Sequence, residues 1–183
     1  GGDGTVHEVA NGVLSSGRED VTLAVVPIGS ANDFAFSMRR QFGASSLSDD
    51  SIHLIDAGEV KSHGRRRFFV ESVGLGLSAR VTLESRKIQW LQGLLLYGWA
   101  ALRALSAHRP QSLSIAWDGG TPIEQPTLML TLMLGLREGN FHLAPHAVMD
   151  DGQFDAVHAL EIGRWAAMRL LPSLAKSGPP TDH

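Results

Sequence analysis

The run from Val21 to Val26, Val-Thr-Leu-Ala-Val-Val, constrains this chain more than any other feature. It is short and β-branched, apolar on both alternating faces, and closed by Pro27. Such a strand needs cover on both sides, as in a parallel sheet. Helix-forming sequence flanks it. Upstream, Val6, Val9, Ala10, Val13 and Leu14 recur at helical spacing, and Ser15-Ser16-Gly17 ends the pattern. Thr5 and Glu8 have the spacing of a capping box, so a helix is expected over about 6–14. Downstream, Ser30-Ala31-Asn32-Asp33 offers an N-cap for a second helix over about 31–38. Loop, helix, strand, loop, helix is an α/β order.

Both helices are entered from glycine-bearing loops. In Gly1-Gly2-Asp3-Gly4-Thr5, glycine lets backbone N–H groups approach a ligand closely. The helix N-terminus behind the loop favours an anion, and phosphate is the obvious one. Asp3 would repel a bare phosphate; it makes sense facing a metal ion or hydrogen-bonding the loop itself. A tight turn before a capped helix accounts for the same residues equally well. The segment Pro27-Ile28-Gly29-Ser30-Ala31-Asn32-Asp33-Phe34-Ala35 repeats the theme of strand end, glycine, hydroxyl and helix start. Two such loops at one sheet edge form the crevice in which open α/β sheets bind ligands. The plainer alternative is a capped helix, with Asn32 and Asp33 satisfying backbone donors.

Beyond the polar, serine-rich stretch 41–51, a candidate domain boundary, the pattern turns to strands. These are expected over 52–60, 67–73, 114–117 and 127–134, with further strand material within 144–160. Turns fall at Ser62-His63-Gly64, Asp118-Gly119-Gly120 and Asp151-Gly152. The run Thr127 to Leu134 needs cover on both faces. One long helix, about 87–107, interrupts the strands and another, 163–175, follows them. The first carries Trp90, Leu94, Leu95, Tyr97 and Trp99 and is apolar nearly all round; core packing is its default, with a lipid-facing role as the alternative. Its apolar stretch, Ile88 to Leu102, is short for a membrane span. The tail around Ser177-Gly178-Pro179-Pro180 is expected to be disordered. Hydrophobic residues make up 43% and charged residues 19%, which favours a packed protein over disorder. A net charge of −3 gives no basic field for nucleic acid, and the lack of cysteine excludes disulfides, thiolate nucleophiles and cysteine–zinc sites. The chain does not begin with Met and opens inside a loop, so it reads as an internal piece of a longer protein.

The two loops in this order, Gly1 to Thr5 and then Pro27 to Ala35, resemble the catalytic region shared by diacylglycerol kinases, sphingosine kinases and YegS-like lipid kinases. Asp56-Ala57-Gly58 resembles the strand opening that family's second domain. Ser72-Val73-Gly74-Leu75-Gly76 resembles a later glycine-rich segment, with Ser72 where Asn is usual. Gly139-Asn140-Phe141, Pro145 and Asp151-Gly152-Gln153-Phe154-Asp155 resemble its Asp-Gly segment.

The resemblance implies an α/β remnant of a phosphofructokinase-like nucleotide-binding domain at 1–48. A β-rich, sandwich-like α+β second domain, incomplete, follows at 49–176, and then a tail at 177–183. It implies ATP at Gly1, Gly2, Asp3, Gly4, Thr5, Val6, His7 and Ser30. His7 departs from the usual Asn, and Ser30 stands where Thr is commoner. It implies Mg²⁺ held by the Asp151 carboxylate and the carbonyls of Val148 and Gln153, hard oxygens that suit this ion; a plain Asp-Gly turn is the alternative there. The implied reaction is phosphoryl transfer from ATP to the hydroxyl of diacylglycerol or a related lipid. The family's catalytic base belongs to an Asp-Gly-Glu motif expected beyond the C-terminus, so no catalytic residue is assigned and the chain alone is expected to be inactive. The implied partners are a lipid alcohol at a membrane surface and a second copy of the chain, with no nucleic acid. The implied location is cytoplasmic, peripheral to the inner membrane surface. Two rivals stay open. An NAD kinase shares the first loop, but would need a later N-x-G-x-L-G-F segment not found here. A catalytically inactive nucleotide- or lipid-binding fragment is the other.

Overall fold

The structure is a computed structural model that describes residues 1–47, 51–88, 90–109 and 111–176. The expected disordered tail lies outside the described residues, as does the middle of the serine-rich stretch.

The first helix, α1, spans Asp3–Ser16 and begins earlier than its apolar pattern. The expected capping box does not form. Gly2 is the N-cap and no side chain caps it, because Asp3, Gly4 and Thr5 are already helical. Gly17 closes the helix at φ 69°, the left-handed conformation that glycine adopts without strain. The second helix, α2, spans Asp33–Phe42, two residues later than expected at its start, and a short 3₁₀ turn follows at Ala44–Leu47.

Between them, Val21–Val26 corrects the sequence reading. It is not a strand. A strand is defined by its hydrogen-bonded neighbour, and no described strand lies beside this run. Backbone hydrogen bonds tie its end to the chain start: the Gly1 amine donates to Val26 O at 2.8 Å, and Ile28 N donates to Gly1 O at 3.4 Å. Val25 alone of its valines is buried, while Val21 and Val26 are exposed. The expected strand 52–60 is likewise reduced to its end.

That end is β1 (Gly58–Ser62), paired antiparallel with β2 (Arg65–Phe69). The hairpin turn was legible: His63 and Gly64 have φ of 49° and 73°, as a two-residue type I′ turn requires. A Cβ at Gly64 would meet nothing within 4 Å, so only backbone conformation resists substitution. Gly64→Ala is expected to lower stability by about 1 kcal/mol in a thermal or urea melt, with no change in ligand binding.

The main sheet is antiparallel. Its centre is β5 (Ile123–Met133), which pairs with β3 (Ser72–Gly76), β4 (Gln111–Ile115) and β8 (Asp155–Leu160). Both faces of β5 are covered where they need to be: Thr127, Leu128, Leu130, Thr131 and Met133 are all buried. The region expected as one strand at 67–73 is two, β2 and β3; of the strand material expected within 144–160 only β8 forms, and a small hairpin not expected, β6 (Arg137–Glu138) and β7 (Phe141–His142), precedes it.

The long helix expected over 87–107 is α4, Gly93–Ser106, shortened because the chain enters it through Gly93 at φ 58°. A helix not expected at all, α3, spans Leu77–Ser85 and packs on α4. The last helix, α5, spans Arg164–Lys176. The inner side of α4 buries Leu96, Ala100, Ala101, Ala104 and Leu105; Leu95, at 72% exposure, and Trp99 face out. Among the described residues no helix is long and apolar enough to cross a membrane.

The two ends of the chain share a core. Val6, Ala10, Val25, Phe34 and Met38 pack with Val70 and Met149. Asn11, buried on α1, adds a clamp: its amide donates to Phe68 O at 2.7 Å and accepts from Phe68 N at 2.8 Å, tying the helix to β2.

Candidate active site

The two glycine-bearing loops meet backbone to backbone. A Cβ on Gly29 would stand 2.3 Å from the Gly2 Cα, and one on Gly2 would stand 2.9 Å from the Gly29 Cα. Neither position has room for a side chain. Asn32, itself at φ 54°, accepts from Gly29 N at 2.7 Å and donates to Gly29 O at 2.8 Å, which fixes the second loop. Asp3 then caps α2 from the other loop, its Oδ1 accepting from Phe34 N at 3.0 Å. The hydrogen bond observed for Asp3 thus reaches α2 and not its own loop. The start of α1 leaves its first amides without intrahelical partners. A Cβ on Gly4 would meet open space, and Ser30 is exposed. The Ser30 carbonyl lies toward the start of α4, 3.9 Å from where a Gly93 Cβ would sit.

The other expected nucleotide residues are less free. Val6 puts its side chain in the core and its N–H on Gly2 O. His7 faces Asn11, with Nε2 3.4 Å from the Asn11 amide nitrogen. Beside the second loop a cleft of about 430 Å³ is lined by Pro27, Asn32, Phe36, Arg39, Arg40 and Arg137, so three guanidinium groups face it.

Behind the loops lies a knot of acids that sequence reasoning did not assemble. Asp33 is buried and accepts from Gly139 N and, at 3.2 Å, from Asn140 N. Arg137 Nε stands 3.3 Å from it, and the Arg137 guanidinium lies 3.6 Å from the centre of the Phe36 ring. Burial, reinforced by the Asp3 charge and opposed by Arg137, pushes Asp33 up to about 6. Glu71 accepts from Ser37 Oγ at 2.9 Å, and Ser37 in turn accepts from Leu136 N at 3.0 Å. Burial first, then Asp33, raises the Glu71 carboxyl well above the usual range. The sequence reading treated Asp33 only as a cap; Glu71 and Arg137 sit in apolar runs, a signal of burial that marks no partner.

An apolar cavity of about 130 Å³ opens on the far side of this knot, enclosed by α3, α4, β5 and α5. Val81, Ala101, Leu128, Phe141, Ile162 and Leu171 are among its walls. Its polar side chains are Ser78, Thr82, Tyr97 and Glu138. Ser78 Oγ donates to the Glu138 carboxyl, 2.7 and 2.9 Å from its two oxygens. The Tyr97 hydroxyl is pushed up to about 12 by burial, then by Asp33, Asp3 and Glu138. Glu138 lines the cavity, while the next residue, Gly139, binds Asp33. The cavity wall and the Asp33 cluster therefore share one turn of chain.

This two-part arrangement has relatives. Residues 71–179 match the family model described as the YegS C-terminal NAD kinase beta sandwich-like domain, and residues 1–62 match the diacylglycerol kinase catalytic domain. The chain belongs to the diacylglycerol kinase and YegS-like lipid kinase family. Diacylglycerol kinase of Bacillus subtilis (strain 168) is 30% identical to this lipid-kinase-family chain over 161 residues, covering 85% of the chain and 52% of the relative. A Pseudomonas aeruginosa protein named "Probable lipid kinase YegS-like" is 31% identical over 161 residues, covering 85% and 51%. The family chain thus spans about half the length of these curated relatives. A crystal structure of a diacylglycerol kinase from Bacillus anthracis str. Sterne superposes with a TM-score of 0.63 at 22% identity, over 94% of this chain and 59% of that one. The shared fold is α/β with a β-sheet domain.

The expected magnesium residues lie apart from the loops. Asp151 is exposed, and one of its oxygens accepts from Gln153 N at 3.0 Å. Asp56 reaches the same turn, accepting from Gly152 N at 2.7 Å. Burial and the Asp151 charge raise the Asp155 carboxyl, with His146 opposing. Among the described residues no group of three or more His, Asp or Glu side chains could hold a metal ion. The expected set needs one carboxylate only, and the second Asp151 oxygen is left over for it.

Proposed function

We propose that the chain carries the phosphate-binding loops and the acceptor cavity of an ATP-dependent lipid kinase, with diacylglycerol or a related lipid alcohol as acceptor. One observation carries this reading: Glu138, in the wall of an apolar cavity, is followed by Gly139, whose N–H binds Asp33 at the start of the helix that the second glycine loop enters. A small, water-soluble acceptor would not need such a cavity. A lipid alcohol does, because its chains seek apolar surface and its hydroxyl has to stand beside the transferred phosphoryl group.

The named residues have assigned tasks in this reading. Gly1 to Thr5 and Ser30 meet the nucleotide phosphates through backbone N–H groups and a hydroxyl, and Val6 and His7 hold the first loop from behind. Arg39 and Arg40 of α2, with Arg137 of β6, add positive charge close by. Asp3 keeps the loops in register through Phe34 N, and Asp33 ties the start of α2 to Gly139 and Asn140. Mg²⁺ would be held by Asp151 with the carbonyls of Val148 and Gln153, and supplies charge neutralisation when bound. The exposed Leu95 and Trp99 of α4, with the exposed Trp90 just before that helix, suit a membrane surface, where Trp is at home.

Titration calorimetry on the 183-residue chain tests the reading. ATP with Mg²⁺ is expected to bind saturably, and 1,2-dioctanoylglycerol in detergent micelles is expected to bind without displacing it. Failure of ATP to bind, or NAD displacing the lipid from the cavity, would sink it; the second result would favour the NAD kinase rival.

A further inference from the structure

Resting on the reading of the cavity as the acceptor site, we infer that Glu138 is the group that recognises the acceptor's free hydroxyl. The cavity wall is apolar except for Ser78, Thr82, Tyr97 and Glu138, and the Thr82 hydroxyl is already given to Ser78 O. The Glu138 carboxyl has one neutral partner, Ser78 Oγ, and its sequence neighbour Arg137 turns instead to Asp33 and the Phe36 ring. No basic side chain among the described residues pairs with Glu138.

A single hydroxyl cannot satisfy a carboxyl. Ser78 has one O–H to give, shared between two oxygens at 2.7 and 2.9 Å. The carboxyl keeps further hydrogen-bonding capacity directed into the cavity. Leaving that capacity unused in an apolar space is costly, which makes a ligand hydroxyl beside Glu138 the favourable complement. Burial, with Asp33 nearby, also raises the Glu138 carboxyl, which favours the neutral acid and hence a neutral ligand group over an ammonium.

Position completes the argument. Glu138 ends β6, and the next two residues, Gly139 and Asn140, give their N–H groups to Asp33. Asp33 starts the helix that the Gly29–Ser30 loop enters. A hydroxyl held by Glu138 is thereby set beside the turn that binds Asp33, with the acyl chains running toward α5. Glu138 acts on specificity and position; no proton transfer is assigned to it.

The test compares two ligands differing in one hydroxyl, 1,2-dioctanoylglycerol and 1,2-propanediol dioctanoate, titrated in detergent micelles into the full 183-residue chain. The wild type is expected to prefer the alcohol roughly tenfold, equivalent to about 1.4 kcal/mol. Glu138→Met, of similar length, is expected to bring the ratio close to one. Glu138→Gln, which keeps both donor and acceptor, is expected to retain the preference within about threefold. Partial unfolding of a variant lowers both titrations and leaves the ratio readable. Persistence of the preference in Glu138→Met overturns the inference, as does a wild type that binds both ligands equally while still binding. A wild type that prefers dodecylamine to dodecanol also overturns it, since the carboxyl would then serve as an anion. Binding of neither lipid overturns the cavity reading itself, and the inference with it.

Discussion

Gly29→Ala is expected to destabilise the protein by about 3 kcal/mol and to abolish nucleotide binding. The new methyl carbon would stand 2.3 Å from the Gly2 Cα, where no contact can exist, and 3.0 Å from Asn32 Oδ1. Both obstacles are fixed. Gly2 is backbone, with its carbonyl held by Val6 N, and Asn32 is bonded twice to Gly29. The two loops must separate to admit the methyl group, and separation pulls Asp3 away from Phe34 N. Overpacking of this kind costs roughly 1–3 kcal/mol, and the lost hydrogen bond to a charged acceptor adds to it. A urea melt gives the first effect and ATP calorimetry the second. Gly4→Ala serves as the contrast, since its methyl group meets open space. A Gly29→Ala protein as stable as Gly4→Ala would show that the loops do not abut in solution.

Asp33→Ala is expected to cost about 3–5 kcal/mol, the range for breaking a buried pair and leaving its partner unpaired. The Asp33 side chain is 6% exposed and that of Arg137 13%. Removal strands the Arg137 guanidinium and the N–H groups of Gly139 and Asn140 together. The same residue sets a pH dependence. Asp33 is pushed up to about 6, mainly by burial and then by Asp3, against an ordinary value near 4. The folded state thus binds its proton more tightly than the unfolded state does. The resulting stabilisation is fully present below pH ~4 and is lost as pH rises through about 6, a change on the order of 3 kcal/mol. Glu71 and Glu138 are raised too and act with the same sign. Asp33→Asn should therefore flatten only part of the decline, between about pH 4 and 6. Urea midpoints at four pH values for both proteins decide it; parallel profiles would remove Asp33 as the cause.

What the sequence disclosed was local. The existence of α1 and α2 and the span of α5 follow from apolar spacing and breakers, though the bounds of α1 and α2 differ from that reading, and the turns at His63-Gly64 and Asp118-Gly119 follow from residues that tolerate positive φ. What it withheld was relational. Val21–Val26 has every property of a strand except a neighbour, and pairing is not a property of a segment. The α3 helix has a narrow stripe, Leu77 and Val81 with polar residues between, so its period is weak. Glu71 and Glu138 lie far apart in sequence on elements that look like sheet, and only the packing of α2 and α3 against them makes them acids of one site. Asn11 carried no more signal than any helical asparagine until β2 supplied Phe68.

The turn between β6 and β7 has a further consequence. Residues 138 and 139 line the cavity, and the N–H groups of 139 and 140 are fastened to Asp33. Whatever shifts the first shifts the second, because a Tyr97 ring packed where a Gly139 Cβ would lie leaves the backbone little slack. Two occupants sharing one such hinge are thermodynamically linked, and linkage is reciprocal. By whatever factor a guest in the cavity alters the grip on phosphate, phosphate alters the grip on the guest. Order of arrival then affects the rates and not the sum.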